Sequence, residues 1–165
     1  APPAGSALMG SFVLERTIAA PVERVFALSL DVGVHVDSMT THAERIVGGV
    51  RSGQMAEGDT VTWSARHFGI RFRMTSLVFD VDAPQRFSDR QLHGPFAAFR
   101  HRHTFVPLLV PDEPEASRTL LRDAIEFRSP FGPLGRLVDA LIMRRHLIRL
   151  IEQRNDALAA RASAS

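Results

Sequence analysis

The segment FRHRHTFVP (residues 99–107) carries two histidines two positions apart in a run of alternating character. Along an extended chain, residues i and i+2 point to the same side. His101 and His103 therefore share a face with Phe99 and Phe105, while Arg100, Arg102 and Thr104 take the other. The arginines belong to water, which turns both imidazoles toward the apolar side. There an imidazole can hold a hydrogen bond, move a proton or ligate a metal. Carboxylates lie within reach in two neighbouring strand-like segments, Asp89 in RFSDRQLHG and Asp123 in RTLLRDAIEFRS. A turn centred near Phe96 puts Gln91 opposite His101 and Asp89 opposite His103; a connection centred near Glu113 puts His103 opposite Asp123. Residues directly opposite have Cβ atoms about 4.5–5.5 Å apart, which suits an Asp–His hydrogen bond. His67, from an earlier strand, extends the expected polar line. A register slip of one residue would turn each affected side chain to the other face.

Three chemistries compete for this line. A closed internal network would satisfy each imidazole with a carboxylate or amide, because an unpaired buried polar group costs about 1–3 kcal/mol. A recognition site would use the line to orient the polar end of a greasy molecule. A catalytic pair would have Asp123 fix the tautomer of His103 and raise its basicity for proton transfer. His-x-His with an aspartate can also supply three metal ligands. The spacing is generic and the chain has no cysteine, so no metal and no cofactor are expected. Neither a Gly-x-Ser-x-Gly elbow nor a phosphate loop or dinucleotide fingerprint is present, which argues against serine-hydrolase and nucleotide chemistry.

The elements that must position these groups follow from periodicity. Residues 12–18 alternate as a first strand, and AAPVERVFALSLD continues as a helix with Pro21 at its start. A short helical or irregular stretch over residues 31–41 comes next. Strands then follow one another: ERIVGGV, TVTWSARHF, IRFRMTSLVFD, RFSDRQLHG, the histidine strand and RTLLRDAIEFRS. In the third of these, Ile70, Phe72, Met74, Ser76 and Val78 face inward. Gly48–Gly49 and Gly94–Pro95 read as bulge or turn residues. From about residue 130 to 160 the period becomes 3.6, with Leu134, Leu137, Val138, Leu141, Ile148 and Ile151 marking one long amphipathic helix. The fold class is α+β: a curved antiparallel sheet of six or seven strands around a long C-terminal helix, with one or two short helices after the first strand. A curved sheet closed over a helix leaves a cavity, and such cavities hold ligands.

Composition narrows the partners. At 165 residues the chain suits one domain: residues 1–10 as a flexible lead-in, 11–160 as a single ligand-binding unit and 161–165 as a frayed tail. A pI of 10.7 looks like that of a nucleic-acid binder, but the net charge is only +2. All basic residues are arginine, and there is no lysine, tyrosine or cysteine. Nothing but chain ends and histidines titrates between neutrality and the arginine range, so a small charge persists to high pH. The arginines of residues 136–154 are spread through an apolar helix pattern rather than gathered into a patch, so nucleic acid is not expected. No apolar run approaches the roughly 18 residues that cross a bilayer, and no secretory signal is visible. A cytoplasmic location fits the absence of cysteine.

AAPVERVFAL with Asp31 after it resembles the opening of the polyketide cyclase/dehydrase and START-like (SRPBCC) superfamily, which shares the Bet v 1 helix-grip fold. GDTVTWSARHFGI, FSDRQLHGPF, FRHRHTF and FRSPFGPLGRLVD are similar to a bacterial branch of it, and the resemblance spans residues 12–158. It implies a deep pocket for an apolar or aromatic small molecule, polyketide-, isoprenoid- or lipid-like, but no single chemistry. The residues expected to meet that ligand are Trp63, His67, Phe72, Met74, Gln91, Phe96, His101, His103, Asp123 and Phe127. Binding is the favoured function. The alternatives are a cyclase or dehydratase using His103 and Asp123 as an acid–base pair, and a protein-partner domain whose core is filled. His35, His42, His93 and His146 show no partner in the sequence and are assigned no role.

Overall fold

Period-two alternation builds one sheet. The computed structural model describes residues 10–39, 42–109 and 117–164. The strands are β1 (Gly10–Ile18), β2 (Arg45–Gly49), β3 (Thr60–His67), β4 (Ile70–Asp82), β5 (Arg86–His93), β6 (Ala98–Leu108) and β7 (Arg118–Arg128). They form a seven-stranded sheet in the order β1-β7-β6-β5-β4-β3-β2, with every neighbouring pair antiparallel. β7 shows the logic of the layer. Leu121, Asp123, Ile125 and Phe127 are buried, while Arg122, Glu126 and Arg128 on the other face are exposed. Two-sided arginine-out, apolar-in alternation of this kind leaves one face needing cover.

Helices supply the cover. After β1, α1 (Val22–Leu30) buries Val22, Val25 and Phe26. Asp31 then caps α2 (Val32–Ser38) by accepting the backbone N–H groups of Gly33 and Val34 at 2.8 and 3.1 Å. Such a cap satisfies donors that a helix start leaves orphaned. The C-terminal helix runs as α3 (Gly132–Val138), a π-helical turn (Asp139–Met143) and α4 (Arg144–Ser163). Its start is stapled by Asp139, whose carboxylate accepts both the backbone N–H and the hydroxyl of Ser129. Among the described residues, no helix is long and apolar enough to cross a membrane.

Three expectations need correction. The apolar residues of the long helix do not form one stripe. Leu147, Ile151 and Leu158 are buried on α4, whereas Leu134, Leu137 and Leu141 are 65%, 56% and 59% exposed. A π turn holds an extra residue relative to α geometry, so a 3.6-residue pattern loses phase across residues 139–143. Ile70, expected inside, is exposed because it follows the tight Phe68–Gly69 turn at the rim of the sheet. In the β5–β6 hairpin Asp89 pairs with His101 and Phe87 with His103, so the turn centres on Pro95 rather than Phe96. Moving the centre by one residue moves each partner by two and keeps the face. In the β6–β7 pair His103 does stand opposite Asp123; the connection near Glu113 lies outside the described residues. The bulge of β2 lies between Ile46 and Gly48, while Gly48 and Gly49 themselves pair with Thr62 and Val61; Gly49 at φ 73° needs to be glycine, since an added Cβ would sit 2.1 Å from the carbonyl oxygen of Thr60.

Candidate functional site

Between the sheet and the helices lies a cavity of about 420 Å³, within the usual range for small-molecule sites. Its body is apolar. Val61, Trp63 and Ala65 of β3, Phe72, Met74 and Val78 of β4, and Met143, Leu147 and Ile151 of the long helix wall it. Ser29, Asp89, His101 and Arg154 add polar groups to that wall. Phe68 and Phe131 border it as well, 59% and 78% exposed. Both hold positive φ, 52° and 81°, a conformation that disfavours bulky residues.

The polar line forms a tight cluster. Asp123 Oδ1 accepts a hydrogen bond from His101 Nε2 at 2.7 Å and lies 2.9 Å from His103 Nδ1. Its other oxygen accepts Asn155 Nδ2 from α4 at 2.6 Å. His103 Nε2 is hydrogen-bonded to Asp89 Oδ2 at 3.1 Å, and His101 Nδ1 lies 4.0 Å from that same oxygen. The two imidazole rings are 3.7 Å apart, and Phe87 stacks on the outer side of His103 at 4.2 Å. Asp123 and His103 are fully buried.

Burial alone would push the Asp123 carboxyl up. Hydrogen bonds from His101 and His103 outweigh it and hold the group well below the usual carboxylate range. Asp89 is also held low: burial opposes this, but the His103 hydrogen bond and the nearby charges of His101, His103 and Arg154 prevail. His101 goes the other way. Burial, then the neighbouring His103, pull it down to about 4 against the pull of Asp123. The cluster therefore presents to the cavity a carboxylate, Asp89, and a neutral imidazole, His101.

A second group of histidines borders the cavity where β3 turns into β4. His67 Nδ1 and His146 Nε2 are 3.1 Å apart, and the His42 ring lies 5.0 Å from that of His67. His146 also packs on Phe68 at 4.5 Å. Burial first, then the neighbouring histidines, bring His146 down to about 4. Burial and His42 lower His67 as well, with Glu44 opposing.

Of the residues expected to meet a ligand, Trp63, His67, Phe72, Met74, Phe96 and His101 line the cavity. Gln91, His103, Asp123 and Phe127 are not among its lining residues. Gln91 folds back on its own hairpin, donating to the Phe96 carbonyl at 2.8 Å and accepting the Phe96 N–H at 3.2 Å. Phe127 is core, fully buried against Phe12. His103 and Asp123 sit behind His101. His67 belongs to the second histidine group, not to the Asp–His line. His35, His42 and His146 do have partners, since His35 pairs with Glu44 at 2.8 Å and stacks 4.3 Å from Trp63. Asn155 and Arg154 were missed; both sit on a helix whose polar residues carry no strand-like pattern, and no sequence signal aims them inward.

A curved antiparallel sheet gripping a long helix around an apolar cavity defines the helix-grip fold. The chain belongs to the family described as polyketide cyclase / dehydrase and lipid transport, whose profile matches residues 9–163. Solved structures share the fold. A Thermus thermophilus protein, TTHA0849, has a TM-score of 0.67 at 19% identity over 93% of this chain and 100% of its own. A START superfamily protein from Mycobacterium smegmatis has a TM-score of 0.64 at 19% identity over 93% and 96%. The Zhui aromatase/cyclase from a Streptomyces species has a TM-score of 0.64 at 18% identity over 90% and 93%. No curated protein matches the chain.

Proposed function

We propose that the chain binds a hydrophobic or aromatic small molecule, polyketide-, isoprenoid- or lipid-like, in the cavity between sheet and helix. The observation that carries this is the cavity itself: apolar along β3, β4 and the helix, with Asp89 and His101 in its wall. The family description, cyclase/dehydrase and lipid transport, is consistent with such a guest. A carboxylate beside a neutral imidazole prefers a ligand end that donates a hydrogen bond, such as a phenol or alcohol, over an anionic one. A cavity of this volume argues against a domain that works only through its outer surface.

Uptake of the neutral probe N-phenyl-1-naphthylamine, followed by its emission and by Trp63 fluorescence, tests the idea. Wild type should saturate at one probe per chain. Ala65→Phe, which fills the wall from β3, should weaken binding at least tenfold. Absence of saturable uptake, or uptake indifferent to Ala65→Phe, would sink the proposal.

One observation favours a second reading, catalysis of cyclase or dehydratase type. Asp123 orients His101, and His101 borders the cavity. The group facing a substrate is then His101, with Asp123 and His103 as positioning residues behind it. His101→Gln should abolish turnover of a captured ligand while probe binding persists.

A further inference from the structure

Counting protons in the buried cluster leads beyond ligand binding. A neutral imidazole carries one N–H. His101 donates it from Nε2 to Asp123 Oδ1, which leaves its Nδ1 as a lone pair 4.0 Å from Asp89 Oδ2. His103 stands between two carboxylates, with Nδ1 2.9 Å from Asp123 Oδ1 and Nε2 hydrogen-bonded to Asp89 Oδ2 at 3.1 Å, so its N–H can face either one. An ionised carboxylate only accepts. One ligand atom each from Asp89, His101 and His103 lies within 4.8 Å of the others, and with the His103 proton on Nδ1 all three turn lone pairs to the gap between them. With the proton on His103 Nε2 the hydrogen bond to Asp89 is made, but His101 Nδ1, 4.0 Å away, takes no part.

We propose that Asp89 Oδ2, His101 Nδ1 and His103 Nε2 bind one divalent first-row metal ion such as Zn²⁺, with its remaining coordination position toward the cavity. Two imidazoles and a carboxylate are a donor set such ions accept with an open position. Ligands at 2.0–2.1 Å from a tetrahedral ion stand about 3.3 Å apart. The 3.1 and 4.0 Å separations from Asp89 Oδ2 bracket that value and all three atoms lie within 4.8 Å of one another, so closure takes a shift of at most about 1.5 Å. Asp123 supplies what a metal-ligating histidine requires, a hydrogen-bond acceptor on the far ring nitrogen that fixes tautomer and orientation. Here one carboxylate serves both rings and is itself held by Asn155. Asp89 and His101 line the cavity, so an ion between them would meet a bound guest.

The test uses the full chain, stripped with chelator and titrated with Co²⁺ and then Zn²⁺. A tetrahedral Co²⁺ visible spectrum saturating at one ion per chain, displaced by Zn²⁺, is expected. Asp89→Asn should weaken Co²⁺ binding at least tenfold, while His146→Gln, in the other histidine group, should leave it unchanged. Ring NMR signals of His101 and His103 in wild type should move on adding Zn²⁺, and those of His42, His67 and His146 should not. That measurement stands even if Asp89→Asn fails to fold. No ion uptake at micromolar metal overturns the proposal and leaves a proton-filled network. Loss in His146→Gln, or shifts confined to His42, His67 and His146, also overturns it by moving the ion to that group.

Discussion

Two groups of histidines border the same cavity and are held in opposite ways. His101 and His103 stand side by side on one strand, and each far nitrogen meets the carboxylate of Asp123. His42, His67 and His146 come from three separate segments and meet chiefly one another. In the first group, anions compensate for the loss of water, and rigid strands fix every distance. In the second, burial and then the neighbouring histidines favour the neutral forms of His67 and His146. An imidazole gains its meaning from what its second nitrogen faces, not from being inside.

The largest contrast should appear on deleting the shared anchor. Asp123→Ala strands two imidazoles and Asn155 together, and removing one partner of a buried ionic network typically costs about 3–5 kcal/mol. Urea unfolding should show that loss, whereas His146→Gln at pH 7.5 should stay within about 1 kcal/mol of wild type. A milder break comes from the helix side. Asn155→Ala removes a buried donor to Asp123 and should cost about 1–3 kcal/mol, while His67 and His146 should titrate as before in NMR.

Acid should separate the groups again. His146 falls from 6.5 to about 4 on folding, so between those values the unfolded chain binds more protons than the folded one. Its contribution is fully present above pH 6.5 and is lost as pH falls toward 4. The side chain is half-exposed, so solvent screening reduces the effect to about 1 kcal/mol. Unfolding at pH 7.5 and 4.5 should therefore show a smaller acid loss in His146→Gln than in wild type. An equal loss in both would remove the electrostatic account of that group. The smallest effect belongs to a residue outside both. Gln91→Ala should cost about 0.5–1.5 kcal/mol through the hairpin hydrogen bonds, with uptake of the naphthylamine probe unchanged.

The same contrast explains what could be seen in the sequence. His-x-His on a strand declares a shared face, and a meander declares neighbours, so the pairing of His103 with Asp123 was legible. The partner of His101 was not, because moving the hairpin centre from Phe96 to Pro95 shifts every β5 partner by two residues. Asn155 reaches Asp123 from a helix packed across the sheet, a contact no local pattern encodes. The His42–His67–His146 group needs three segments to meet in space, and each histidine looks solitary on its own element. The exposed Leu134, Leu137 and Leu141 were misread for a related reason: one π turn breaks a period that the eye continues.

That turn has a consequence for lineage. Because it holds one residue more than α geometry needs, removing a single residue from 139–143 would wind the helix back into phase rather than break it. The face before the turn would then rotate by about 100° relative to α4. A relative without the turn should align to this chain only through a one-residue gap at 139–143, and its counterparts of Leu134 and Leu137 should face a different way. A gap of that kind in a family alignment would be a record of how the N-terminal end of the long helix was reset by one insertion.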